Sequence, residues 1–150
     1  MMTMGDNKIM IDTNILVYAN MFNSPLHNKS RIQLQEQNNK FDQLCISVQI
    51  VREYIAVKSK ITFLDGCYNA CEIVLDIKEF EQNYFISINN LAFQKEFLRL
   101  LYKYEVKGKQ VHDCNIAATM LVNNINNVFT NNIGDFKRYE PEGIKVISLI

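Results

Sequence analysis

Apolar residues are distributed along the chain in two rhythms. Five short, nearly unbroken blocks read as buried strands: KIMI at 8–11, LCIS at 44–47, YFISI at 84–88, NVFT at 127–130 and IKVISL at 144–149. Between them the apolar positions recur at the spacing of one helix turn. TNILVYANMF (13–22) brings Ile15, Leu16 and Ala19 onto one side. Ser24 followed by Pro25 signals the start of a second helix running to Gln37, because proline suits the first helical position. Ser47 is placed to cap a third helix carrying Val48, Val51, Ile55 and Ala56 on one face. Asp65 opens a fourth pattern through Cys71, Val74 and Leu75, and Asn89 or Asn90 caps a fifth with Leu91, Phe97, Leu98 and Leu101. HDCNIAATMLVNN (112–124) forms a sixth, with Ile116, Ala117, Met120 and Leu121 inward. Such alternation predicts an α/β fold around a mostly parallel, roughly five-stranded sheet.

Composition narrows this picture without redirecting it. At 150 residues and 48% apolar content, one domain spanning 1–150 has enough material for a real core. Lys plus Arg equals Asp plus Glu at 16 each, so any grip on a polyanion must come from local patches. No apolar run is long enough to span a bilayer, and MMTMGDNK lacks the apolar centre of a signal peptide. The expectation is a cytoplasmic protein with no membrane partner. Cys45, Cys67, Cys71 and Cys114 lack zinc-ligand spacing and read as buried, reduced thiols.

The chemistry is chosen largely by elimination. The five glycines include neither a dinucleotide loop nor a phosphate-binding loop, and no serine stands in a nucleophile elbow. A phosphatase of the haloacid-dehalogenase type needs a second Asp two residues after the first, where this chain has Asn14. What remains is carboxylate chemistry. Asp12 ends the first strand, Glu53 lies on the helix after the second, Asp113 opens the helix before the fourth, and Asp135 follows the fourth. Each has a plain explanation when taken alone: Asp12 and Asp113 as helix caps, Asp135 as a polar loop residue. Together they are harder to dismiss, because parallel strands bring their carboxyl ends to one edge of the sheet, where ligands bind. Carboxylates crowded there repel each other unless a hard divalent cation such as Mg2+ or Mn2+ is held between them.

Four stretches, MIDTNILVYA (10–19), ISVQIVREYIAV (46–57), VHDCNIAATML (111–121) and VFTNNIGDF (128–136), together resemble PIN-domain ribonucleases. These are proteins of the kind found as the toxin in bacterial VapBC-type toxin–antitoxin pairs. The stretches occur in the family's order and at its separations, with 58–110 the least diagnostic part. The resemblance implies a three-layer α/β/α PIN-like domain that hydrolyses RNA phosphodiesters with a bound Mg2+ or Mn2+. It makes Asp12, Glu53, Asp113 and Asp135 the metal-binding acids, and Thr13, Asn14 and Thr130 the polar residues that orient them. Some members place the fourth acid where this chain has Asn132, so that position is a second candidate for the fourth ligand. RNA phosphates would meet Lys58 and Lys60, then Lys103, Lys107 and Lys109 leading up to Asp113, and Lys137 and Arg138 beside Asp135. The resembling toxins pair as dimers and are covered by an antitoxin. Phe22, Leu34 and Tyr102 are apolar residues in excess of what the core needs, and are expected at such contacts. The alternatives are a PIN-fold module that binds RNA or protein without turnover, and a small-molecule phosphohydrolase on the same sheet.

Overall fold

The computed structural model describes residues 7–61 and 69–150. Five strands, β1 (Lys8–Ile11), β2 (Gln43–Ser47), β3 (Phe85–Ser87), β4 (Asn127–Thr130) and β5 (Lys145–Ser148), form one sheet in the order β3-β2-β1-β4-β5. Every pairing is parallel; Ile9 sits opposite Leu44 on one side and Asn127 on the other. Successive residues of β1, β2 and β4 are buried irrespective of the direction in which they point. Both faces of the sheet are therefore covered, as parallel sheets require. The chain leaves β1 toward β2 and later returns to its other flank as β4. That reversal puts the switch point of the sheet at the carboxyl ends of β1 and β4.

Seven helices lie among the described residues: α1 (Thr13–Ala19), α2 (His27–Lys40), α3 (Val48–Ile61), α4 (Ala70–Asn83), α5 (Leu91–Lys103), α6 (Gln110–Val122) and α7 (Ile133–Lys137). None is long and apolar enough to cross a membrane. α6 is the most deeply set, with Cys114, Ile116, Ala117, Ala118, Thr119 and Met120 all buried; Leu121 is only half-buried. Its end explains part of the asparagine-rich NNINN run. Asn124 takes a left-handed conformation (φ 56), and Ile125 N then donates to Met120 O at 2.9 Å, closing the helix with a Schellman turn.

Several local expectations need correction. α1 stops at Ala19, and α2 starts at His27 because Ser24 Oγ accepts from Leu26 N (3.1 Å) to form a turn instead of capping a helix at Pro25. Ser47 does cap α3, accepting from Ile50 N at 3.1 Å, but the buried face of that helix is Ile50, Tyr54 and Lys58, while Ile55 and Ala56 are exposed. Polar groups reach the interior there because they are satisfied. Tyr54 Oη donates to Asp76 Oδ2 (2.6 Å) and Lys58 Nζ donates to Asn20 O (2.6 Å). On α4, Val74 and Leu75 are exposed and Ile73 and Phe80 are buried instead; its cap is Asn69, and the expected start at Asp65 lies outside the described residues. Asn90 caps α5, whose buried residues are Phe93 and Leu100, with Leu91 and Leu98 exposed. Cys45 and Cys114 are buried free thiols, Cys71 is exposed, and Cys67 is outside the described residues. Phe22 and Tyr102 do stand out in solvent, whereas Leu34 is half-buried against the core.

Candidate active site

Asp12 is the first residue past β1, and the strand ladder continues through it, since its N–H donates to Phe129 O on β4 at 2.9 Å. The residue is both a cap and a buried acid. Oδ1 accepts from Thr13 N (2.8 Å), starting α1. Oδ2 accepts from Thr130 Oγ1 (2.7 Å) and from Asn14 Nδ2 (3.3 Å). Thr130 ends β4, and its Oγ1 also accepts from Asn132 N (2.9 Å), so its hydroxyl proton is committed to Asp12. Asn14 Oδ1 accepts from Asn131 N (3.2 Å), tying the start of α1 to the loop after β4. Only 4% of Asp12 is exposed. Burial raises its pKa, the bonds from Thr130 and the Thr13 amide lower it, and the charges of Glu53 and Asp135 raise it again, leaving it at about 6.

Glu53 reaches this group from α3. Its Oε2 accepts from Thr13 Oγ1 (2.8 Å) and its Oε1 from Gln49 Nε2 (3.0 Å). Thr13 thus serves both acids, through its amide to Asp12 and its hydroxyl to Glu53. Asp113 lies in the first turn of α6 and Asp135 inside α7. Asp113 does not cap its helix, whose N-cap position is Lys109, and Asp135 is helical where a loop was expected. Neither carboxylate has a hydrogen-bond donor among the described residues. Asp113 is pushed up to about 7, by burial first and then by the charges of Asp135, Asp12 and Glu53. Asp12 and Asp113 therefore both feel the charges of Glu53 and Asp135 across the switch point of the sheet.

Charge proximity is not yet coordination. Among the described residues, no three Asp, Glu, His or Cys side chains stand close enough together to hold one ion as they lie. The oxygens of Asp12 and Glu53 are taken up by protein donors instead. The donor set nevertheless fits a hard divalent cation: it is entirely carboxylate oxygen, and its two most desolvated members lack a compensating positive charge.

The cations expected around the acids divide sharply. Lys58 is buried and spent on Asn20 O, so it is not presented to a ligand. Lys103 Nζ, on α5, pairs with Glu142 at 2.6 Å. Lys60, Lys107, Lys109 and Lys137 are exposed. Arg138 is half-buried beside the acids: with Gln110, Asp113, Gly134, Asp135 and Tyr139 it lines a cavity of about 140 Å³. Its Nη2 donates to Tyr104 O at 2.7 Å. Asn132 is exposed, and it acts on the site through its backbone N–H. The sequence reading missed Gln49 and His112, which touch each other across α3 and α6 (Nε2 to Nδ1, 3.1 Å). A much larger groove, about 1260 Å³, lies between α1, α2 and α4 along Phe22, His27, Ile32, Leu34, Phe80 and Tyr84. None of the four acids lines it, so size and chemistry point to different places. The chemistry is the better guide here, because an enzyme acts where titratable groups are perturbed.

Among curated proteins, none is similar enough in sequence to count as a relative. Solved structures share the fold at low identity. A chain of VapBC2 from Rickettsia felis, bound to a DNA fragment from its promoter, is 20% identical with a TM-score of 0.70, covering 94% of this chain and 98% of its own. A chain of DNA-bound VapBC from Salmonella typhimurium gives 21% and 0.64, with 95% and 98% covered. Mycobacterium tuberculosis VapC20, a toxin that cleaves the sarcin–ricin loop, gives 12% and 0.62, with 80% and 86% covered. A model of the PIN domain matches residues 9–140, nearly the whole chain, and the protein belongs to that family.

Proposed function

We propose that the chain is a metal-dependent endoribonuclease and the toxin of a type II toxin–antitoxin pair. The observation that carries this reading is the meeting of four carboxylate charges at the switch point, with Asp12 and Asp113 held well above the usual range of an aspartate. Uncompensated acids in that position suit a site that receives positive charge. Asp12, Glu53, Asp113 and Asp135 would hold Mg2+ or Mn2+, which supplies charge against the phosphate and makes a water a better nucleophile. The protein's share is orientation. Thr130 and Asn14 fix the Asp12 carboxylate, and Thr13 and Gln49 fix that of Glu53. Lys60, Lys107, Lys109, Lys137 and Arg138 are the cations available to RNA phosphates, with Arg138 nearest the acids. Asn132 remains an alternative fourth ligand.

The partners follow from the neighbours in fold. Besides VapC20, these include a toxin–antitoxin complex from Klebsiella pneumoniae and VapBC-5 from Mycobacterium tuberculosis, of a toxin–antitoxin family. By analogy this chain pairs with itself and is inhibited by an antitoxin, in the cytoplasm. Phe22 and Tyr102, at 86% and 90% exposure, are apolar surface suited to such contacts. The decisive experiment is cleavage of RNA by purified protein with Mg2+ or Mn2+. Asp12→Asn should lower the rate at least about 100-fold while the circular dichroism spectrum is unchanged, as expected for losing a ligand charge at constant shape. A variant that cuts as fast as the parent, or cutting that persists undiminished in excess EDTA, would sink this assignment.

A further inference from the structure

Gln49 stands in the first turn of α3 and His112 in the first turn of α6, 63 residues apart in sequence. The Gln49 amide nitrogen is 3.0 Å from Glu53 Oε1 and 3.1 Å from His112 Nδ1. Which end of a glutamine amide faces a neighbour is settled by the neighbour's chemistry. Glu53 Oε1 is an acceptor, so the carbonyl end of Gln49 would be repelled there, and the NH2 end faces it. The same NH2 has a second hydrogen, and that hydrogen meets His112 Nδ1. Nδ1 must therefore accept. A neutral imidazole with Nδ1 accepting carries its proton on Nε2, at the far edge of the ring. His112 is exposed, and among the described residues the only hydrogen-bond contact of its ring is the one to Gln49.

With Nδ1 turned to Gln49, the arrangement leaves Nε2–H as the outer donor of the ring, one residue before Asp113 on the rim of the acidic site. A phosphodiester approaching four carboxylates is repelled by them, and donors on the rim are what can hold it in register. We propose that Gln49 and His112 form a substrate-positioning pair: Gln49 presents His112 as the Nε2–H tautomer, which donates to a non-bridging phosphate oxygen of RNA. This rests on the ribonuclease reading for the identity of the ligand, but not for the tautomer. The competing account is that the contact only staples α3 to α6.

Two measurements separate them. Nitrogen-detected NMR of the two histidines, in mildly alkaline buffer and with His27→Gln for assignment, should show His112 protonated on Nε2. Gln49→Ala should return it to a mixture of tautomers. A dominant Nδ1–H form in the parent overturns the proposal without touching the nuclease assignment. The second measurement is fluorescence anisotropy with a labelled single-stranded oligoribonucleotide, in an Asp12→Asn background so that nothing is cut. His112→Asn keeps an acceptor for Gln49 but removes the outer donor, whereas His112→Gln can restore a donor. Adding His112→Asn should weaken binding by about 10- to 100-fold, the worth of one hydrogen bond to a charged acceptor, and His112→Gln should recover part of that loss. If His112→Asn binds as tightly as its background, the pair is only a staple. If the background itself binds no RNA, this proposal falls; whether the nuclease assignment falls with it is read separately, from cleavage by the parent.

Discussion

The two halves of the acidic site are built by opposite rules. Around Asp12 and Glu53 each carboxylate oxygen has at least one donor: Thr13 twice, Thr130, Asn14 and Gln49. Around Asp113 and Asp135, among the described residues, there is no donor to either carboxylate. The first half is held in place by the protein before any ligand arrives. The second half is positioned only by its backbone, on α6 and α7, and its side chains remain available. That difference assigns tasks: the first half sets where the ligand sits, and the second supplies charge that the fold itself does not neutralise. It also accounts for the acids failing to close on one point as they lie. The oxygens on one side are already engaged, and those on the other have nothing to draw them in.

Breaking the ordered half should cost most. Thr130 is fully buried, and its hydroxyl both donates to Asp12 and accepts from Asn132 N. Thr130→Val keeps the shape and deletes both bonds. Cleavage should fall about 10- to 100-fold, the usual effect of removing a partner that orients a metal-binding group. Stability should also fall by about 1–3 kcal/mol, because the Asn132 amide and an Asp12 oxygen lose a buried partner. Asn14→Ala removes a longer bond of 3.3 Å and should cost clearly less on both measures. Steady-state cleavage rates and urea melts of the two variants check the order; an inactive Asn14→Ala beside an active Thr130→Val would reverse it.

The unordered half makes the opposite prediction, a gain in stability from losing an acid. Asp113 is held at about 7 in the fold against an ordinary 3.8. Between those values the native protein keeps a proton that the unfolded chain has released, so the metal-free protein loses stability as pH rises from about 4 to about 7. On the scale of 1.36 kcal/mol per pKa unit the full penalty above pH 7 would be about 4 kcal/mol, and because Asp113 is only half-buried, solvent screening leaves about 2–3 kcal/mol of it. An acid in the first turn of a helix gains about 0.3–1 kcal/mol from the dipole, too little to offset this. Asp113→Asn should therefore raise the melting temperature by about 5 °C at pH 8 in EDTA and leave it nearly unchanged at pH 4.5. A divalent cation should raise the melting temperature of the parent more than that of the variant. A variant that melts below the parent at pH 8 would show that the repulsion is not felt.

The ordered half was also the legible half, and for a reason. Asp12 could be read because local sequence contains its whole context: a solid apolar strand before it and a helix start after it. Glu53 and Asp113 are legible from their places on the helices after the second strand and before the fourth, and Thr13 as an orienting residue, but Gln49, the other partner of Glu53, is not. Gln49 and His112 meet only because α3 and α6 pack together, and nothing at either position announces the other. The inner face of α3 was misread for a related reason. Tyr54 and Lys58 look like surface residues until Asp76 and Asn20 O are brought to them by the fold. α7 escaped because five residues containing Gly134 are too few to show a helical rhythm. A mostly parallel sheet of roughly five strands was visible, since continuous apolar blocks need no tertiary knowledge to be recognised; that every pairing is parallel came from the structure.

The smallest effect tests whether the segment carrying Asp135 is fixed one layer further out. After α7 the chain makes a 3-10 turn, Glu140–Glu142, closed by Gly143 at φ 96, a conformation suited to glycine. Glu142 accepts from Arg99 Nη2, Lys103 Nζ and Tyr104 Oη, each at 2.6 Å, and so fastens this turn to α5. Burial raises its pKa, but the bonds from Lys103, Tyr104 and Arg99 outweigh that and hold it at about 2. A depressed acid contributes stability above its ordinary value of 4.5 and loses it as pH falls toward 2. Arg99 and Lys103 are about half exposed, so solvent screens most of the attraction. Glu142→Gln should accordingly cost only about 1 kcal/mol at pH 7, and the gap should narrow below pH 4. The informative readout is cleavage. If Glu142 anchors the backbone beneath Asp135, activity should fall by about 2- to 5-fold, more than so small a loss of stability explains when the protein is still fully folded. Unchanged activity would mean that α7 is held by Phe136 and Tyr139 in the core, and that the half of the site lacking donors needs no anchoring from α5.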